Sequence, residues 1–250
     1  MPQYRLGEPY ARALNQVVAD GDFRSPEAVL RYLVETHATG LIQRQAVIID
    51  PHAADNRARR TQSQWVGFFN EQGKAMISAP NIYQAGKHAS DEVLASLRRD
   101  FGESLLVSSS RIKYAQDDLS GRITHNYESS VFKPSQRDVK VIPVYDETLL
   151  AQALQSDESI GYLHALFDTT DEPKCIAGTL ENLSKRNADR IALWTPSQFS
   201  RQYYNEGAVR FDVDGGGGFR VVGGDRVVDG VGRSRGVNVK SAKPTRKSRQ

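Results

Sequence analysis

Apolar and polar residues alternate at the start of the chain and then settle into helical spacing. Gln3-Tyr4-Arg5-Leu6 sends Tyr4 and Leu6 to one face of an extended segment and Gln3 and Arg5 to the other. Over residues 8–19, Tyr10, Ala13, Leu14, Val17 and Val18 recur on one helical face, Pro9 is tolerated in the first turn, and Gly21 stops the helix. Ser25-Pro26 then supplies an N-cap followed by proline at the first helical position. Val29, Leu30, Leu33 and Val34 form the stripe of a second helix ending near Gly40. One short strand and two helices bury too little apolar surface to stand alone, so residues 1–45 are expected to dimerise or to dock on the rest of the chain.

Beyond a polar, arginine-rich connection at 55–60, the pattern predicts a second body over 61–239. Bulky residues at 65–69 and 74–78 around Glu71-Gln72-Gly73 read as a hairpin. Ser90 caps a helix over 89–101 that carries Val93, Leu94 and Leu97 on one face. Residues 105–107 read as a buried strand, with further strands at Ile123, 139–144 and 191–194. Helices are expected over 147–167 and 177–187, and the glycine-rich stretch 208–239 reads as short strands between turns. Helices and strands interleave without a regular βαβ period, so the expected class is α+β, a small N-terminal unit joined to a larger mixed domain.

Composition excludes little except extremes. With 39% hydrophobic and 25% charged residues the 250-residue chain is ordinary for a globular protein, neither disordered nor collagen-like. No apolar run is long enough for a membrane span, and no basic-then-apolar leader is read at the start. A single Cys175 builds no internal disulfide, which suits a reducing cytoplasm.

Charge is uneven. Arg233, Arg235, Lys240, Lys243, Arg246, Lys247 and Arg249 follow Asp229 with no acid among them, leaving 26 basic against 30 acidic residues before that point. A flexible basic tail, with residues 240–250 as its end, is therefore expected to attract nucleic acid by releasing counterions.

The order strand, helix, capped helix over residues 1–40, with M-P-Q-Y-R-L at the start and G-D-F-R-S-P-E-A-V-L-R later, resembles the ribbon-helix-helix DNA-binding proteins, the group of the Arc repressor and the ParD antitoxins. The resemblance implies a homodimer whose paired strands enter the major groove of double-stranded DNA. It implies that Gln3 and Arg5 face base edges, where arginine grips guanine and glutamine pairs with adenine. It also implies that Ser25, with Arg24 beside it, meets phosphate at a helix N-terminus. The implied function is sequence-specific binding by an antitoxin-like transcriptional repressor, with a C-terminal domain that takes a ligand or a protein partner.

A rival chemistry lies in the larger body. Ser108-Ser109-Ser110-Arg111, Asp117-Asp118 and His125-Asn126-Tyr127-Glu128 gather hydroxyls, carboxylates and an imidazole within a short stretch. Asp117, Asp118, His125 and Glu128 are the residues a hydrolase or nuclease would use if the loop folded back, with the N-terminal unit serving to dimerise or dock. The alternative expectation for the same stretch is a polar hairpin with Asp117-Asp118 in its turn and His125 a satisfied surface residue. His37, His52, His88 and His164 are scattered without ligand spacing, so no metal and no cofactor is expected. The glycine runs at 214–218 and 223–225 fit no phosphate-binding motif and read as turns or a mobile loop. Cys175 beside Lys174 reads as a buried, inert thiol.

Overall fold

A computed structural model describes residues 47–203, 205–224 and 231–239. The expected N-terminal strand and helices, with Gln3, Arg5, Arg24 and Ser25, and the tail from Lys240 lie outside the described residues. Contacts divide the chain into Met1–Val47 with Val239–Gln250 as one unit and Ile48–Asn238 as the other, and the account that follows concerns the second.

Strand β1 (Val47–Ile49) leads through a 3-10 turn at Asp55–Arg57 to helix α1 (Gln62–Glu71). The expected hairpin over 65–78 is not formed, because the helix begins upstream of the residues that suggested it. Thr61 and Gln64 make a capping box, with Thr61 Oγ1 accepting from the Gln64 N–H and Gln64 Oε1 accepting from the Thr61 N–H. Trp65, Val66 and Phe69 then fall on one buried helical face. Gly73 takes φ of +65°, a turn open to glycine, and the second expected strand shrinks to β2 (Ala75–Met76). Helix α2 (Ala79–His88) follows, unanticipated by the pattern. Ser78 and Asn81 cap it reciprocally, and its Gly86 lies so close to the helix over Pro173–Ser184 that an added Cβ would stand 2.9 Å from the Thr179 carbonyl oxygen.

Helix α3 (Asp91–Glu103) has Ser90 as its N-cap, as expected. Strands β3 (Leu106–Tyr114), β4 (Gly121–His125) and β5 (Ser135–Val139) form a meander. The strand expected over 139–144 ends at Val139, since Pro143 offers no N–H to a ladder and its carbonyl is taken by Thr195 and Arg201 side chains. The long helix expected over 147–167 divides into β6 (Thr148–Leu149), α4 (Leu150–Ala153) and α5 (Asp157–Phe167), the last capped by Ser156. Helix α6 (Pro173–Ser184), β7 (Ile191–Trp194), α7 (Gln198–Arg201), β8 (Glu206–Val213), β9 (Phe219–Val222) and β10 (Gly236–Val239) complete the order.

The class is α+β. Seven strands lie in the order β5-β4-β3-β8-β9-β7-β6, antiparallel except for β9 and β7, and three more lie in the order β1-β10-β2. Helix α3 packs on the large sheet through Phe101, whose ring centroid lies 6.2 Å from that of Phe211 on β8 and 5.2 Å from that of Phe219 on β9. Trp65, Val66 and Phe69 of α1 cluster with Val107 and Ala208, which alternate with Leu106 and Phe211 along β3 and β8, so α1 covers the opposite face.

Arg235 binds the small sheet to this body. Its guanidinium is wholly buried, and its five N–H groups are all used. Nε and Nη2 donate to Asp100 Oδ2, Nη2 also donates to Ser96 Oγ at 2.9 Å, and Nη1 donates to the carbonyls of Asp50 and Pro51 at 3.1 and 2.9 Å. A single side chain thus joins the segment after β1, helix α3 and the segment before β10. Removing one partner of such a buried pair leaves an uncompensated charge. Arg235→Met is expected to lower the unfolding free energy by about 3–5 kcal/mol in denaturant titrations, and adding Asp100→Leu to recover much of it. Ending the chain after Asp229 removes β10 and Arg235 and should abolish cooperative unfolding, whereas ending it after Val239 should leave the transition of the body in place.

Candidate functional site

The four residues of the rival catalytic reading do not converge. Tyr114 pairs with Gly121, which places Asp117 and Asp118 in the exposed turn of the β3–β4 hairpin. Asp118 Oδ1 accepts from the Ser120 N–H at 2.6 Å, and the hydrogen bonds of Ser120 hold its carboxyl below the usual carboxylate range. His125 sits at the far end of β4, about 13 Å further along the strand. Glu128 is exposed in the next turn, at a φ of +50°. The stretch is a hairpin with Asp117 and Asp118 in its turn, but His125, expected at the surface, is buried.

His125 is nonetheless in a defined chemical setting. Its Nε2 lies 3.0 Å from the Ala165 carbonyl oxygen, which can only accept, so Nε2 carries the proton and Nδ1 accepts from Ser110 Oγ at 2.8 Å. Ser110 Oγ in turn accepts from the Ala79 N–H at 2.9 Å. A serine bonded to an oriented imidazole has the outline of a nucleophile and its base. Here Ser110 is 0% exposed and His125 1%, so neither presents an atom to a substrate. The pair ties β3, β4, the start of α2 and the end of α5 together.

The neighbouring serines are spent in the same way. The β3–β8 register shifts between Val107 and Arg111, and the bulge is closed by side chains. Ser108 Oγ donates to the Val209 carbonyl and Ser109 Oγ to that of Met76, while Gln62 Nε2 donates to the carbonyls of Ser108 and Ser110. Arg111 Nε donates to Gln62 Oε1, and its guanidinium lies 3.5 Å from the Tyr127 ring centroid. The loop 214–218 is likewise fastened, with the amides of Gly216 and Gly218 donating to Asp214 Oδ1 and the carbonyls of Gly216 and Gly217 accepting from Arg190 and Arg186. It is a pinned turn whose N–H groups face its own carboxylate. Cys175, expected inside, is exposed. Among the described residues no group of three or more His, Cys, Asp or Glu side chains is arranged to hold a metal ion.

A cavity of about 320 Å³ lies against the Arg235 pair, lined by His52, Ala53, Asn56, Arg57, Ser96 and Asp100. Its rim is unusual in backbone terms, since Asp55, Asn56 and Arg57 take φ of 49°, 49° and 66° in succession. Left-handed backbone costs a non-glycine residue roughly 1–2 kcal/mol, least for asparagine and aspartate. Four guanidinium groups, of Arg57, Arg60, Arg233 and Arg235, interleave here with three carboxylates. Glu103 accepts from Arg57 and Arg233 at 2.8 and 2.7 Å, Asp55 pairs with Arg60, and Asp100 pairs with Arg235. Arg60 also stacks over Trp65 and Phe68, 4.7 Å from each ring centroid. The Arg60 Nη1 and Arg233 Nε atoms are buried without a hydrogen-bond partner.

These positions revise the expected tail. Arg235 is fully buried and the Arg233 side chain is 14% exposed and paired, so neither faces a phosphate backbone. The basic excess therefore begins at Lys240 and comprises Lys240, Lys243, Arg246, Lys247 and Arg249, while Ile48–Asn238 carries 23 Lys and Arg against 25 Asp and Glu. The arginines at 57, 60, 233 and 235, read as connection and tail, are components of the folded body. No family model, no curated protein and no solved structure matches the chain.

Burial, opposed by the hydrogen bond to Ala165, holds His125 below its ordinary value near 6.5. Above pH 6.5 the imidazole is neutral in both states, and its contribution is complete. As pH falls below 6.5 the unfolded chain takes up a proton that the folded chain refuses, so stability declines until the folded value is reached. His125→Asn should be less stable at pH 7.5 and should show a flatter stability profile from pH 6.5 toward 5, read by urea titration at each pH.

Proposed function

We propose that the chain is a dimeric, sequence-specific DNA-binding regulator of the cytoplasm, an antitoxin-like repressor whose Ile48–Asn238 body takes a ligand or partner. The observation that carries the reading is the strand, helix and Ser25-Pro26-capped helix pattern over residues 1–40. In this reading two copies of Gln3 and Arg5 meet base edges in one major groove, and Ser25 and Arg24 fix register on phosphate. The body supports a binding role in two ways. Its Ser110, His125 and Arg111 are consumed in holding strands and helices together, and a cavity beside Asp100 is open to a small molecule. Its two ends, β1 and β10, are neighbouring strands of one small sheet. Among the described residues no helix is long and apolar enough to cross a membrane, and the exposed, unpaired Cys175 suits a reducing compartment.

Selection from randomised duplexes by the full chain, by a form ending at Val239 and by Arg5→Ala tests the reading. One enriched sequence is expected. Arg5→Ala should weaken discrimination at one position of each half-site by about 1–3 kcal/mol. Loss of the five tail charges should weaken binding to all sequences and reduce the magnitude of the slope of log K against log salt by up to about 4. Binding without sequence preference that vanishes with the tail would remove the ribbon from the mechanism.

A further inference from the structure

We propose that the cavity bounded by His52, Asn56, Arg57, Ser96 and Asp100 binds a compact organic anion that also carries a hydrogen-bond donor, the chemistry of a hydroxy acid, an amino acid or a small phosphate ester. The cavity itself rests on the body alone, while its use as an effector site rests on the regulator reading above.

Size and electrostatics set the class. About 320 Å³ is at the small end of ligand sites, too large for a bare inorganic ion and suited to a molecule of modest size. Its lining carries one guanidinium, of Arg57, and one carboxylate, of Asp100, so it suits a guest that offers both a negative group and a hydrogen-bond donor.

Donors stand at the rim and an acceptor at the floor. Arg57 is half exposed and its hydrogen bond to Glu103 uses Nη1, so the rest of its fork is open to an oxyanion. Asn56 and His52 add an amide and an imidazole. On the floor, Asp100 gives Oδ2 to both bonds from Arg235, whereas its Oδ1 has Arg233 Nη1 no nearer than 3.9 Å. That oxygen keeps acceptor capacity for a hydroxyl or ammonium of the guest. Ser96 is engaged by Pro51 and Arg235 and contributes shape.

The backbone at the rim points the same way. Three consecutive left-handed residues are costly, and such strain persists where it presents side chains that an ordinary turn would not. The guest would touch the segment that follows β1 and the carboxylate that holds the segment before β10, so occupancy would stiffen both ends of the body.

Isothermal calorimetry on the full chain tests this with L-malate, L-glutamate and glycerol 3-phosphate, each an anion with a donor, against butyrate and ethanolamine, which have one feature each. At least one of the first three is expected to bind with a Kd of about 10 μM to 1 mM, and butyrate and ethanolamine about tenfold or more weaker. Two variants guard against misfolding. Arg57→Gly suits the φ of +66° and removes the fork; Asn56→Asp suits the left-handed turn and adds a repelling charge. Both should keep the melting temperature within about 3 °C and lose about tenfold or more in affinity. No heat from the first three, or equal heat in both variants, overturns the site. With the preferred duplex in hand, a saturating probe should change DNA affinity about fivefold or more. Binding with unchanged DNA affinity overturns the effector role, whereas failure to find any preferred duplex tells against the regulator reading and leaves the calorimetric result standing.

Discussion

A buried guanidinium must satisfy five donors or incur a large desolvation penalty, and Arg235 meets that demand with partners from two other parts of the chain, helix α3 and the segment after β1. Much of the body is organised by this requirement. Helix α3 has to present Ser96 and Asp100 one turn apart on one face, the chain after β1 has to turn two carbonyls inward, and β10 has to enter between β1 and β2. A lysine at this position has three donors and no planar fork, so it would leave some of these oxygens unmatched. The register of β10 against β2, Gly236 opposite Met76, is the one that accompanies the seating of the guanidinium against Asp100 and the Asp50 and Pro51 carbonyls.

The same principle explains the polar seam along β3. A bulge leaves ladder groups unpaired in a dry interior, where each would cost on the order of 1–3 kcal/mol. Gln62 and Ser108 supply partners at the bulge, while Ser109, Ser110 and His125 fasten the strands to Met76, Ala79 and Ala165. Hydroxyls, an amide and an imidazole that suggest catalysis when read in a row are here used in bending a central strand and tying it to its neighbours. Such networks leave open the rim of the cavity beside Asp100, where Arg57 is half exposed.

How much of this was legible depended on whether the signal was local. Helix α3 could be read because Ser90, Leu94 and Leu97 sit within one short stretch, and β7 because three buried residues and Trp194 form one apolar run. Helix α1 was misread because Trp65-Val66-Gly67-Phe68-Phe69 is rich in strand-forming residues, while the deciding capping box begins four residues upstream. The cavity was invisible for a different reason. Arg57 finds Glu103 46 residues away, and Arg233 and Arg235 find Glu103 and Asp100 at separations of 130 and 135. Arginines whose partners are that distant look like a linker and a tail. The fold class survived these errors, because interleaving of helices and strands does not depend on any one boundary.

The place of β10 has a bearing on how the protein is made. The small sheet is ordered β1-β10-β2, so its middle strand is contributed by residues synthesised roughly 190 positions after the first. At about 5–20 residues per second the ribosome takes some 10–40 s to cover that distance. Throughout that interval β1 and β2 present unpaired edges, and Asp100 lacks its guanidinium. The small sheet can close only once β10 has been translated. A chain that ends between Asp100 and Arg235 therefore has β1 and β2 without the strand that joins them and Asp100 without its guanidinium, features of a substrate for chaperones and proteases.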